Sequence, residues 1–309
     1  MRKHHHLRPR LEDFGARRVA APRNGLSMLA SSVSAPRRSA EAEARQVGQP
    51  RRAFLRSAAA LGAAIWLPSA PALLRADEAR WATLCGRLVY DGPAPERAKL
   101  KVDKDVDCCG KFDIRDESLM VAADGGLKDV FVFCRTPKVE ITPVWRDADV
   151  PKRVTLDNRD CIFQPHCLTI WYDRQEFYTV NSDPVAQNVA FSPLGDVPAN
   201  FVLAVGGDAT YRFTRRQNFP VPIACNYHPW ESAFVLPRDN PYAALTRSDG
   251  TFRIEHLPPG VLEFQFWHER PGVLETPDWP KGRLSITLRP GLNDLGTVKL
   301  APALLSRKP

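Results

Sequence analysis

Between Thr83 and Leu300 the chain never sustains a helical period; short β-branched and aromatic runs alternate with clusters of Gly, Pro, Asn and Asp. Helices need long uninterrupted stretches to present one apolar face, whereas strands need only a few residues, so this punctuation predicts an all-β protein. Expected strands lie at 84–90, 128–133, 153–157, 167–172, 176–181, 201–205, 210–214 and 221–225. In Glu176-Phe177-Tyr178-Thr179-Val180 and Thr210-Tyr211-Arg212-Phe213-Thr214 the side chains alternate in polarity, which marks strands with one face on a core. Their spacing fits a Greek-key sandwich over residues 77–237. A second β segment over 238–309 opens at Asn240-Pro241, turns at Ser248-Asp249-Gly250-Thr251 and carries expected strands at 252–255, 262–267, 283–288 and 295–300. This segment is short, so it is expected to share strands with the stretch Cys85-Gly86-Arg87-Leu88-Val89-Tyr90.

The formal charge of +8 suggests a nucleic-acid or membrane partner until it is divided along the chain. Residues 1–76 hold 14 Lys+Arg against 4 Asp+Glu, and the remaining 233 residues carry a net charge of about −2. The basic excess therefore belongs to a leader, and no nucleic-acid partner is expected. Arg51-Arg52-Ala53-Phe54-Leu55-Arg56 is a twin-arginine pattern, followed by an apolar run at 57–67 and the small-residue site Ala70-Pro71-Ala72. Eleven residues are too few to span a bilayer. Residues 51–76 thus read as a signal peptide, cut after Ala72 or Ala76, that leaves no stable membrane span. A general secretory signal would read similarly, and either sends the chain to the periplasm or cell envelope. Residues 1–50, with His4-His5-His6, lack apolar periodicity and are expected to be disordered or a mis-assigned start, with Met28 as an alternative.

Six of the seven cysteines of an exported chain could pair and leave Cys225 free, and buried free thiols are an equal reading for Cys85, Cys134 and Cys167. Pairing all of Cys85, Cys108, Cys109, Cys134, Cys161 and Cys167 would allow fifteen connectivities. Cys225 opens Cys225-Asn226-Tyr227-His228-Pro229-Trp230-Glu231, in which a thiol and an imidazole leave one tight loop and a third donor follows three residues later. Such a set suits a soft or borderline metal, and a Cys with two His and a weak axial Met or Gln is the blue-copper arrangement.

Together with Asn181-Ser182-Asp183-Pro184-Val185-Ala186-Gln187-Asn188 upstream, Asn240-Pro241-Tyr242-Ala243-Ala244-Leu245-Thr246 downstream and the tail around Trp267-His268-Glu269, this loop resembles exported bacterial plastocyanin-like proteins of the methylamine-utilisation type. That family reads N-S-D-P-x-x-H-N and then C-x-x-H-P-W-M. The resemblance runs from about Leu84 to Leu300 and implies a cupredoxin-like sandwich, copper, electron transfer to a redox partner protein, and a bridge from the Cys108-Cys109 pair to Cys161. It also implies that the Asn188 amide braces the cysteine loop by hydrogen bonding. The tail resembles carboxypeptidase-regulatory-like or carbohydrate-binding-like sandwiches.

The chain departs from the family at two ligand positions. Gln187 stands where the first His ligand is expected, and Glu231 stands for the axial Met. Cys225 and His228 carry over intact, and His166 is the expected replacement ligand if Gln187 cannot serve. The metal set expected from sequence is therefore Cys225, His228, Gln187 and Glu231, with His166 in reserve, and the Cys225 thiol and His228 imidazole are expected to converge on the side chain after Ala186. No triad order, phosphate loop or zinc knuckle appears, so no enzyme is expected. Asp103, Asp105 and Asp107 lack the Gly and Glu of a calcium loop and read as solvated. His268-Glu269 reads as structural, because neighbours on a strand point to opposite faces. Two further readings stand beside the electron carrier: a copper-free envelope module binding carbohydrate, and a copper- or zinc-storage site built from Cys225, His228 and Glu231.

Overall fold

A computed structural model describes residues 80–306. The leader, its twin-arginine motif and both cleavage sites lie outside the described residues. No helix among those described is long and apolar enough to cross a membrane. The strands are β1 Ala82–Tyr90, β2 Phe131–Cys134, β3 Arg153–Arg159, β4 Ile162–Gln164, β5 Cys167–Trp171, β6 Glu176–Asn181, β7 Gln187–Phe191, β8 Ala199–Leu203 and β9 Asp208–Tyr211. They continue with β10 Val221–Ala224, β11 Ser232–Arg238, β12 Ala243–Leu245, β13 Thr251–Leu257, β14 Gly260–His268, β15 Gly272–Val273, β16 Arg283–Leu288 and β17 Gly291–Leu300. Two single-turn helices, α1 Val106–Cys109 and α2 Pro143–Asp147, sit in loops. The all-β class follows.

Four sheets form two sandwiches. In the first, the sheet β5-β11-β10-β7-β8 faces β4-β3-β6-β9 across a core of Leu156, Phe163, Ile170, Phe177, Val189, Phe191, Ile223 and Val235. The alternation seen in 176–180 is the cause: Phe177 and Thr179 point inward, and Tyr178 and Val180 lie half exposed. In the second, β13-β1-β17 and β12-β2-β14-β15, with β16 on β14, enclose Leu84, Leu88, Val132, Tyr242, Phe264 and Phe266. Burying each such side chain contributes roughly 1.5–3 kcal/mol. A smaller cluster of Phe131, Phe133, Cys167, Leu236 and Trp267 joins β2, β5, β11 and β14.

The boundary expected after residue 237 does not divide the sheets. Strand β1 has β13 and β17 as its neighbours, and β2 has β12 and β14. The second sandwich is thus built from both ends of the described chain, with the first inserted between β2 and β12. The turn at Ser248-Asp249-Gly250-Thr251 forms as expected. Gly250 sits at φ +80°, where a Cβ would collide with the Leu88 carbonyl of β1. Strands β7 and β11, which flank the site described below, were not among the expected ones: β7 begins on two buried amides and β11 carries Pro237. Truncation after residue 237 removes every sheet neighbour of β1 and β2. Limited proteolysis should then cut within 82–90 and 131–134, which are paired in sheets in the full chain; protection of those strands after truncation would contradict the shared sheets.

Candidate metal centre

The loop 225–231 joins the antiparallel neighbours β10 and β11. It closes on itself through Glu231 N–H to the His228 carbonyl at 2.9 Å and His228 N–H to the Cys225 sulfur at 3.3 Å. Strand β7 lies on the other side of β10 and begins at Gln187, so its amide meets the loop. Cys225 Sγ is 3.6 Å from Gln187 Oε1 and 3.7 Å from His228 Nδ1. His228 Nδ1 is in turn 2.8 Å from Gln187 Oε1 and 3.2 Å from Glu231 Oε1. All four residues are buried. The ligand atoms of Cys225, His228 and Glu231 lie within 4.8 Å of one another. The expected convergence on Gln187 is what the geometry contains.

The surrounding polar groups explain why each donor points inward. Asn181 Oδ1 accepts Asp183 N–H and its amide nitrogen donates to the Val185 carbonyl, which sets the turn of the Asn181-Ser182-Asp183-Pro184 stretch. Buried Asp183 then accepts the Gln187 Nε2 hydrogen at 2.9 Å and the Cys161 N–H. With its amino group so held, Gln187 presents its oxygen to the loop. Asn188 Oδ1 accepts Asn226 N–H at 3.0 Å while its nitrogen donates to the Phe201 carbonyl, so it braces the cysteine loop. His228 Nε2 bonds to Asp105 Oδ2 at 2.8 Å. A carboxylate on the far nitrogen of an imidazole fixes which nitrogen faces a metal. Asp105 and Asp183 are site residues the sequence reading missed. Asp183 sat in a motif without an assigned role, and Asp105 lies 123 residues from His228 in a run that read as solvated.

Burial alone would lower the imidazolium of His228, but its contacts with the Cys225 sulfur and the Glu231 and Asp105 carboxylates push it up to about 10. Burial pushes the Glu231 carboxyl up, opposed by His228. Both Glu231 oxygens lack a hydrogen bond, apart from the charge contact with His228.

His166 is not part of this centre, which corrects the expectation of a reserve ligand. Its Nδ1 faces the Ser232 carbonyl at 3.0 Å and its Nε2 the Glu269 carboxylate at 2.6 Å, so both ring nitrogens are already used. Burial would lower the His166 imidazolium, but Glu269, with Glu117 and Asp129 nearby, raises it overall. Neighbouring His268 is buried and pushed down to about 3 by that burial. The implied bridge forms between Cys109 and Cys161, while Cys85, Cys108, Cys134, Cys167 and Cys225 are free. Trp230 ties this bridge to the loop: its Nε1 donates to the Cys161 carbonyl and its ring lies 5.0 Å from that of His228.

No family model matches the chain, and no curated protein does. Among solved structures, a Cu(I) form of an amicyanin mutant is 12% identical, covering 35% of this chain and 98% of its own, at a TM-score of 0.24. A copper-containing nitrite reductase from Thermus scotoductus SA-01 is 18% identical over 32% of this chain and 25% of its own, at 0.25. A purple cupredoxin from Nitrosopumilus maritimus is 16% identical over 28% of this chain and 100% of its own, at 0.23.

A raised folded value means that the His166 contact with Glu269 stabilises the protein fully below the ordinary histidine value of about 6.5 and is lost as pH rises through the higher folded value. The gap in urea midpoint between wild type and His166→Gln should therefore narrow as pH rises above about 6.5; a gap that stays constant with rising pH would contradict the charged contact.

Proposed function

We propose that the protein is a cupredoxin-like copper protein with an altered ligand set, in which Cys225, His228, Glu231 and Gln187 hold the ion. One observation carries the reading: a sulfur, the Nδ1 of an imidazole, an amide oxygen and a carboxylate without hydrogen bonds surround one buried point. A thiolate and an imidazole on one tetrahedral metal are separated by about 3.5 Å, given bonds of about 2.3 and 2.0 Å; here they are 3.7 Å apart. Charge supports a divalent ion as well. A thiolate and a carboxylate together cancel two positive charges, so the buried site becomes neutral, as a low-dielectric interior requires.

Copper in this set would supply a one-electron couple. Cys225 would provide the strong covalent ligand, and Asp105 would hold His228 with Nδ1 inward. Glu231, a hard anionic oxygen in place of a soft thioether, would favour Cu(II) over Cu(I) and lower the reduction potential. The twin-arginine leader at 51–76 supports export to the periplasm or envelope in a folded state, with an electron-transfer partner there.

A second reading is favoured by the high value at His228: the imidazolium proton on Nδ1 can occupy the place of the ion between Gln187 and Glu231. The protein would then be a copper-free envelope sandwich that binds carbohydrate or another ligand elsewhere. Titration of the reduced, metal-free protein with Cu(II) separates the two. The copper reading expects one equivalent bound, with visible thiolate-to-copper absorption that Cys225→Ser abolishes. Asp105→Ala should keep the absorption and weaken affinity about 10–100-fold. A colourless protein that binds no Cu(II) would leave the copper-free reading standing.

A further inference from the structure

The helix α1 carries Cys108 and Cys109 on consecutive positions. Cys109 is disulfide-bonded to Cys161, and both are fully buried. Cys108 is free and half-buried. The three sulfurs lie within 4.8 Å of one another. A thiol that close to a disulfide is positioned for exchange, which proceeds by attack of a thiolate on a disulfide sulfur. We infer that Cys108, Cys109 and Cys161 form a thiol–disulfide exchange site in which Cys108 is the exchange thiol and small external thiols of the glutathione class are the reactants.

The chemistry balances within the trio. The Cys108 thiolate attacks the Cys161 sulfur; the Cys108–Cys161 bond forms as the Cys109–Cys161 bond breaks. Cys109 leaves as a thiolate and takes up the proton Cys108 gave up. No electrons are gained or lost, so no oxidant is needed. The exchange moves the bridge from a sealed residue to one that solvent reaches. An external thiolate can then attack Cys108, forming a mixed disulfide there and releasing Cys161 as a thiolate. A second external thiol reduces that mixed disulfide, and the electrons come from the two external thiols. Cys108 is the route by which a buried bridge becomes reducible.

The position of the trio gives the exchange a structural consequence. Successive helical residues are about 100° apart around the axis, so moving the bridge from Cys109 to Cys108 rotates or unwinds the single turn. Asp105 caps that turn in a left-handed conformation, φ 43°, with its carboxylate on His228 Nε2. Asp183 joins Cys161 N–H to Gln187, and Trp230 joins the Cys161 carbonyl to the loop. A change in bridge partner therefore reaches two of the residues around Cys225.

The assignment rests on sulfur placement alone, so it stands or falls separately from the copper reading. The test follows reduction of the Cys109–Cys161 bridge by glutathione in the folded metal-free protein, with acid quench, alkylation and peptide mass mapping. Cys108→Ser keeps the native bridge and should be reduced about tenfold or more slowly than wild type. Cys109→Ser, where it folds, should contain a Cys108–Cys161 bridge and a shifted His228 ring signal in NMR. Reduction of Cys108→Ser at the wild-type rate would overturn the assignment, as would a folded Cys109→Ser protein with Cys161 left as a free thiol.

Discussion

The two-sided engagement of His228 is the constraint on which the centre depends. An imidazole has two nitrogens, and here one faces Gln187, Glu231 and Cys225 while the other is held by Asp105. Releasing either side would free the ring to turn and separate the donors. The ring can be fully buried in this polar setting because both nitrogens have partners, in keeping with the high cost of leaving a buried polar group unsatisfied. Glu231 is the exception. Its carboxylate is buried with a single charge contact and no hydrogen bond, so its charged form is favoured by a cation close by. A protonated His228 would meet that need, and a divalent ion would meet it more completely.

Around this ring the polar residues form a linked set. Asn181 shapes the turn, Asp183 turns Gln187, Asn188 holds Asn226, and Asp183 also anchors the backbone of Cys161. Trp230 closes the circuit by reaching the carbonyl of the same cysteine. The donors are thus supported from β7, from the loop after β10 and from the helix α1. A site held from several rigid directions keeps its donors in place when its charge changes.

The two sandwiches are nested rather than strung in series. Because β1 and β2 find their partners only after residue 242, the outer sandwich closes only once the chain beyond the inner one is available. The aromatic cluster of Phe131, Phe133 and Trp267 with Leu236 and Cys167 packs strands of both together. The His166–Glu269 contact lies along the same seam: His166 precedes β5 of the inner sandwich and Glu269 follows β14 of the outer one. A histidine that sequence offers as a spare ligand is in fact a polar fastener between layers.

Sequence by itself determined the all-β class, the alternating faces of strands such as 176–180, the Gly250 turn and the cysteine loop with its close Cys225–His228 spacing. All of these depend on residues near one another in the chain, where periodicity and turn chemistry act directly. The meeting of Gln187 with that loop was reachable through the ordered motifs, since β7 lies beside β10. Tertiary structure alone decided the rest. Asp105 reaches His228 across 123 residues, β1 pairs with β13 and β17 more than 150 positions away, and His166 turns toward Glu269. Those contacts are set by which strands become neighbours when the two sandwiches nest, and no local period or spacing encodes that choice.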